Sequence, residues 1–186
     1  MSSNIWKRIA RGFVILWTIV VSCGASDDIA NPDNIFSEAE LVELDYIVDV
    51  FDRILIFEYP SEDIAKSYQN FSRIVAQQGQ NPYQRGMLEL SDEVATFRVY
   101  HEIWMKERER TASAFTINPD GKYINYMQKI SRDQEFLKSY VDSYKMANDI
   151  TPSLAAGYAR YIESIDLSDK THRLIFAIHY LTLLNR

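Results

Sequence analysis

From Leu41 to Leu184 apolar side chains return every third or fourth residue, segment after segment, and this rhythm leaves an all-α chain as the simplest fold. Ser37 and Glu40 form a capping-box signature ahead of Leu41, Leu44, Ile47, Val48, Phe51, Ile54 and Leu55, which predicts a first helix with one apolar face. Tyr59-Pro60-Ser61 interrupts it, and Ser61 is placed to cap a second helix carrying Ile64, Tyr68, Phe71, Ile74 and Val75 as far as Gly79. Asn81-Pro82 restarts the pattern, and Tyr83, Met87, Leu90, Val94, Phe97, His101 and Trp104 suit one long helix over 82–112. Gly86 and Ser91 mark places where that helix could break.

Asn118-Pro119-Asp120-Gly121 is the strongest turn signal, and Phe115, Ile117, Tyr123 and Ile124 around it allow either a small hairpin or a helix start, the latter preferred. Ile124, Met127, Ile130, Leu137, Val141 and Tyr144 continue at helical spacing, with a second capping box at Ser131 and Gln134 that would divide the segment. Thr151-Pro152 opens a helix with Leu154, Tyr158, Tyr161 and Ile162 inward. Ser168 is placed to cap a last helix, about Asp169 to Leu184, whose broad apolar face of Leu174, Ile175, Ile178 and Leu181 makes it central. The expectation is an all-α domain, a single bundle of about six helices over residues 37–186, with no repeat and no second domain boundary.

The N-terminus follows a different logic. Lys7, Arg8 and Arg11 precede the apolar run Phe13–Val21, and no acidic residue occurs before Asp27, so the order is basic, apolar, small. The run falls well short of the roughly 20 residues that span a bilayer as a helix. Val20-Val21-Ser22-Cys23-Gly24 resembles the lipobox of bacterial lipoprotein precursors, with Val20 standing where leucine is most often found.

That resemblance implies a signal peptide over residues 1–22, cleavage between Ser22 and Cys23, and a diacylglyceryl group on Cys23, whose new amine is usually acylated as well. Each buried acyl methylene contributes about 0.8 kcal/mol, so several chains hold a domain on its membrane. Cys23-Gly24-Ala25 also satisfies the small-residue rule of ordinary signal peptidase, which would cut after Ala25 and release a soluble secreted protein. Gly24 is not the aspartate that typically retains lipoproteins at the inner membrane, and Ser26-Asp27-Asp28 resembles a surface-export tag. Both features imply the outer membrane, at its periplasmic face or the cell surface. Residues 23–36 then comprise the lipidated cysteine and a polar tether whose thirteen residues after Cys23 reach about 45 Å when extended.

Loss of residues 1–22 removes three of the 20 basic residues and none of the 26 acidic ones, leaving 17 basic against 26 acidic residues and a net charge of −9. Such a field repels phosphate backbones and favours a basic partner in the envelope over nucleic acid. Cys23 is the only cysteine, so the domain has neither a disulfide nor a thiolate metal site.

No motif for catalysis or cofactor binding emerges. His172 and His179 are seven residues apart, which separates their backbones by about 10.5 Å along a helix. The residues three before His101, His172 and His179 are Arg98, Asp169 and Phe176, so the paired Glu-x-x-His of di-iron bundles is absent, and Met105 breaks a zinc-protease pattern after His101-Glu102. The 116–127 segment lacks the closing glutamate of a calcium loop, and neither a serine-nucleophile elbow nor a phosphate-cradling glycine loop occurs. No metal or cofactor is expected.

The twelve tyrosines are the least ordinary feature. Tyr140 with Tyr144, and Tyr158 with Tyr161, share helix faces and suit either packing at the core rim or a recognition groove. Trp104 is the one tryptophan after the signal and falls on an apolar stripe, as a core residue would. The lipobox resemblance, the acidic charge and the missing catalytic motifs together imply first a lipid-anchored, non-catalytic binding or accessory domain. An envelope hydrolase with carboxylates and His172 in a helical cleft is a second reading, and an immunity or inhibitor protein facing a basic toxin a third.

Overall fold

A computed structural model describes residues 27–78, 85–106 and 115–185. Residues Ser22 and Cys23, the restart at Asn81-Pro82 and the charge run after Lys106 lie outside them. Helices α1 (Glu38–Glu58), α2 (Ile64–Gln78) and α3 (Arg85–Val94) come first, followed by a single turn α4 (Tyr100–Ile103). A ribbon of β1 (Trp104–Lys106) and β2 (Phe115–Ile117) leads to α5 (Lys122–Ile130), α6 (Glu135–Ala147), α7 (Pro152–Arg160) and α8 (Lys170–Leu184). The all-α reading therefore holds, with one small antiparallel ribbon added. Among the described residues no helix is long and apolar enough to cross a membrane.

Helix α8 is the axis of the fold. From Lys170 to Leu184 every side chain but Leu183 is buried, and the helix packs on α1 and α3. A helix apolar nearly all round is stable only when neighbours cover every face. Phe176 makes ring contacts with Phe51 at 5.9 Å, Tyr68 at 4.7 Å and Tyr180 at 4.4 Å, and Tyr180 shares a 2.7 Å hydrogen bond with the buried Ser72 hydroxyl.

On the α1 side Lys170 Nζ lies 2.5 Å from Asp45 and 2.7 Å from Asp49, and Arg173 Nε is within 3.3 Å of Asp52. The acids recur at i, i+4 and i+7 on α1, so one charged seam closes the rim of the α1–α8 contact. Burial pushes the Asp52 carboxyl above its ordinary range, against the opposing pull of the Tyr68 hydroxyl donating at 2.5 Å and of the Arg173 guanidinium.

The capping box forms as expected. Ser37 Oγ accepts from the Glu40 amide, and Glu40 returns the contact to the Ser37 amide at 2.7 Å. Glu40 also receives Lys122 Nζ at 2.6 Å, which ties the start of α1 to α5. Burial raises the Glu40 carboxyl, but the Lys122 and Ser37 contacts together outweigh it and hold the group below its usual range.

The polar stretch before α1 is fastened to the domain from Ala30 onward. The Ala30 amide donates to Thr171 Oγ1 at 2.9 Å, Asn31 brackets Phe36 with two backbone hydrogen bonds, and Phe36 is buried against Tyr126. The seven residue steps from Cys23 to Ala30 reach about 25 Å when extended, rather than the 45 Å of a free tether.

The continuous helix expected over 82–112 does not form. Helix α3 stops at Val94, where Thr96 folds its amide and hydroxyl back onto the Glu93 carbonyl. The freed Val99 amide is accepted by Glu43 Oε2 on α1 at 2.8 Å, a partner 56 positions away that no local periodicity reveals. Trp104 then lies in a strand, yet remains fully buried, with its indole N–H donating to Thr182 Oγ1 at 2.8 Å.

The preferred helix start after the turn does form, as α5, while strand β2 pairs with β1 in the register Trp104–Ile117 and not with Tyr123–Ile124. The Asn118–Gly121 turn instead anchors the start of α5. Its Asn118 amide donates to the Ile103 carbonyl at 2.8 Å, and its side chain donates to the His101 carbonyl at 2.7 Å. A Cβ on Gly121 would lie 2.3 Å from the Glu102 carbonyl oxygen, so the close approach requires glycine.

Three expected caps move. Asp63, not Ser61, accepts the Ala65 amide before α2, and Asp169, not Ser168, accepts the Thr171 amide before α8. The Ser131–Gln134 pair does divide the segment, but through a 3-10 turn with no side-chain cap on α6.

Candidate functional site

Two helices with small or hydroxyl residues on their facing sides leave a gap. Helix α6 presents Glu135, Ser139 and Ser143 at four-residue intervals beside Phe136 and Tyr140. Helix α7 presents Thr151, Leu154, Tyr158 and Tyr161 across from them, with Ser153 and Gly157 at the edge. Together they line an open cleft of about 640 Å³. That volume is within the range of small-ligand sites.

The floor is aromatic. Tyr140 and Tyr158 are buried, their rings 5.2 Å apart, and Phe136 lies 5.8 Å from Tyr158. Behind them His179 stacks on Tyr158 at 4.2 Å and 19°, and its Nδ1 shares a 2.8 Å hydrogen bond with the Tyr140 hydroxyl. Burial drives the Tyr158 phenol well above its usual pKa, so it stays neutral. At the mouth Tyr161 is 52% exposed and rests against Phe136 at 5.2 Å, giving an aromatic pair within reach of solvent.

Of the four tyrosines that suit either core-rim packing or a groove, Tyr140, Tyr158 and Tyr161 meet in this cleft. Tyr144 does not. It faces the ribbon, where its hydroxyl donates to the Ile117 carbonyl at 2.8 Å. Tyr161 is the one of the four whose ring is substantially open, so packing accounts for most of the tyrosine pattern. Phe136, Glu135 and the serines of α6 were not anticipated, although a Glu135-Ser139-Ser143 stripe beside Phe136-Tyr140 is visible in the sequence.

The lining carries one formal charge, the exposed Glu135, and no Lys, Arg or His among the described residues. An aromatic pair beside a lone carboxylate matches a cationic side chain, which gains from the ring faces and from the acid together. Hydroxyls along both walls can serve a peptide backbone.

A neighbouring hollow of about 500 Å³ groups Glu135, Asp166 and His172, the combination a helical-cleft hydrolase would draw on. The Asp166 backbone carbonyl can only accept, so His172 Nδ1 donates to it at 2.8 Å, and Nε2 lies 2.8 Å from the Gln134 side-chain amide nitrogen. Nε2 thus ties the start of α8 to the start of α6, Nδ1 ties it to the connection that precedes α8, and both ring nitrogens are engaged. The Ser168 hydroxyl bonded to Asp166 holds that carboxyl below its usual range. Among the described residues no three His, Cys, Asp or Glu side chains are grouped to hold a metal ion.

These features define an all-helical domain with a neutral-to-acidic aromatic cleft. Comparison with protein-family models, curated proteins and solved structures finds no match to this chain.

Proposed function

We propose that this is a lipid-anchored, non-catalytic binding protein of the bacterial envelope, held at the outer membrane through Cys23, whose α6–α7 cleft receives a cationic segment of a basic partner protein. The lining of the cleft carries the proposal: the Phe136–Tyr161 pair, Glu135 as its only charge, and hydroxyls on both walls. The field of a domain with net charge −9 draws the same class of partner and disfavours nucleic acid. An immunity protein facing a basic toxin is one form such a function takes.

The test uses the membrane-extracted full-length gene product titrated with a lysine- and arginine-rich peptide and with a glutamate-rich peptide of equal length. The cationic peptide binds, and Glu135→Gln with Tyr161→Ala weakens it by at least about tenfold, since a charge-assisted contact is worth about 1.5–3 kcal/mol. Equal binding of both peptides, or no response to these substitutions, rules the cleft out. Intact mass of the wild type and Cys23→Ala tests the anchor separately. A product beginning near Ser26 in both would mean a diffusible secreted domain instead.

A further inference from the structure

On the opposite face of α7 lies a groove of about 500 Å³ with different chemistry. Its walls are α2 and α7, and the end of α8 closes it below. Val75, Ala76, Ile150, Ala155, Ala159 and Leu183 make its surface predominantly apolar. Tyr180 reaches it from α8, with its hydroxyl already engaged by Ser72.

Two arginines stand on its rim, Arg73 from α2 and Arg160 from α7, both exposed. Arg73 Nη1 donates to Asn70 at 3.0 Å, and among the described residues neither guanidinium makes an ion pair. Acids outnumber bases in this chain, and Lys122, Lys129, Lys138, Lys170 and Arg173 all pair with carboxylates. Glu163 shares the rim three positions after Arg160 without pairing to it. Two guanidiniums that make no ion pair among the described residues therefore border an apolar groove on a chain of negative net charge.

We infer that this groove binds a single-chain fatty acid, its alkyl tail between α2 and α7 and its carboxylate between Arg73 and Arg160. The fork of a guanidinium matches the two oxygens of a carboxylate, and an apolar lining rewards each methylene withdrawn from water. A cationic peptide meets like charge here, so this groove and the aromatic cleft select opposite ligands. Two arginines are too few to hold a polynucleotide.

The experiment uses the full chain in discs of zwitterionic lipid, with empty discs as the blank, and a fatty acid bearing a photoreactive diazirine in its tail. Cross-links mapped by peptide mass fall on residues 150–160, which comprise α7 and the two residues before it, or on Leu183, and excess oleate competes them away. The matching fatty alcohol labels the same site about tenfold less, and Arg73→Gln with Arg160→Gln reduces acid labelling to the level of the alcohol. Ala156→Trp, at an exposed groove position, blocks both, while Tyr161→Ala in the other cleft changes neither. Equal labelling by acid and alcohol, labelling elsewhere in the fold, or competition by anionic phospholipid vesicles as effective as that by oleate would each overturn the assignment.

Discussion

Tyr158→Phe should make the protein more stable, and Tyr68→Phe should make it less so, although both tyrosines are fully buried. The Tyr158 hydroxyl finds no hydrogen-bond partner among the described residues, with aromatic rings of His179, Tyr140, Phe136 and Phe176 around its side chain. Burying an unpaired hydroxyl costs about 1–3 kcal/mol on mutational scales. Its removal leaves a void of roughly 15 Å³, worth about 0.4 kcal/mol at ~24 cal/mol per Å³. The balance is a gain of about 1–2 kcal/mol, or about 2–8 °C in Tm for a domain of this size. Tyr68 instead donates to Asp52 at 2.5 Å, so its loss should cost about 1.5–3 kcal/mol by leaving a half-buried carboxylate with one fewer donor. Urea titrations of both variants beside the wild type give the two signs directly. A Tyr158→Phe variant less stable than wild type by more than about 0.5 kcal/mol would refute the reasoning, because the hydroxyl would then be satisfied in solution.

Three further outcomes follow from the fold. Glu40 has a folded pKa below its usual value near 4.5, so its contribution is present above that pH and lost as pH falls through the folded pKa. Glu40→Gln should thus cost about 1–2 kcal/mol at pH 7 and narrow the gap between denaturant midpoints measured at pH 7 and pH 3.5. Gly121→Ala drives a Cβ into the Glu102 carbonyl and should cost about 3 kcal/mol or more, whereas Gly157→Ala meets nothing within 4 Å and should gain about 0.5–1 kcal/mol; thermal melts give the order. Glu43→Ala leaves the buried Val99 amide without its acceptor, costing about 1–3 kcal/mol, and hydrogen exchange at that amide should accelerate more than at the amides of α1 or α8.

Where a helix carries its own start signal and its own apolar stripe, as α1 does with Ser37, Glu40 and Leu44–Phe51, the sequence suffices to place it, because every interaction that defines the element is three or four residues long. The apolar face of α8 was likewise legible from Leu174, Ile175, Ile178 and Leu181, but burial of Lys170, His172, Arg173 and His179 on its other sides depends on partners elsewhere in the fold. The break after Val94 is different in kind, since Glu43 stabilises it from another helix and the local stripe continues through it. One cap failed for a related reason, since Gln134 spends its amide on His172, 38 positions away; the other failed locally, because Ser168 donates its hydroxyl to Asp166 two residues earlier. The cleft was half legible. Spacing put Tyr158 and Tyr161 on one face, but which tyrosine faces a gap and which faces the ribbon is decided by the neighbour, as Tyr144 demonstrates.

Helix α7 explains why both hollows exist. Its sequence, Pro-Ser-Leu-Ala-Ala-Gly-Tyr-Ala-Arg, contains only one fully buried side chain, Tyr158, which pins it to His179 of the central helix. Its other packed residues, Leu154 and Ala155, are only partly buried and most of the rest are small, so α7 leaves room on both sides. An alanine or glycine facing solvent contributes little burial, and a helix of nine residues is marginal without packing. The stability of the domain rests instead on α1, α2 and α8, whose aromatic core is closed. Such a division suits a binding protein: the hollows lie where the chain gives up little stability to keep them open, and their opposite chemistry comes from which residues, Glu135 and Tyr161 or Arg73 and Arg160, border the same short helix.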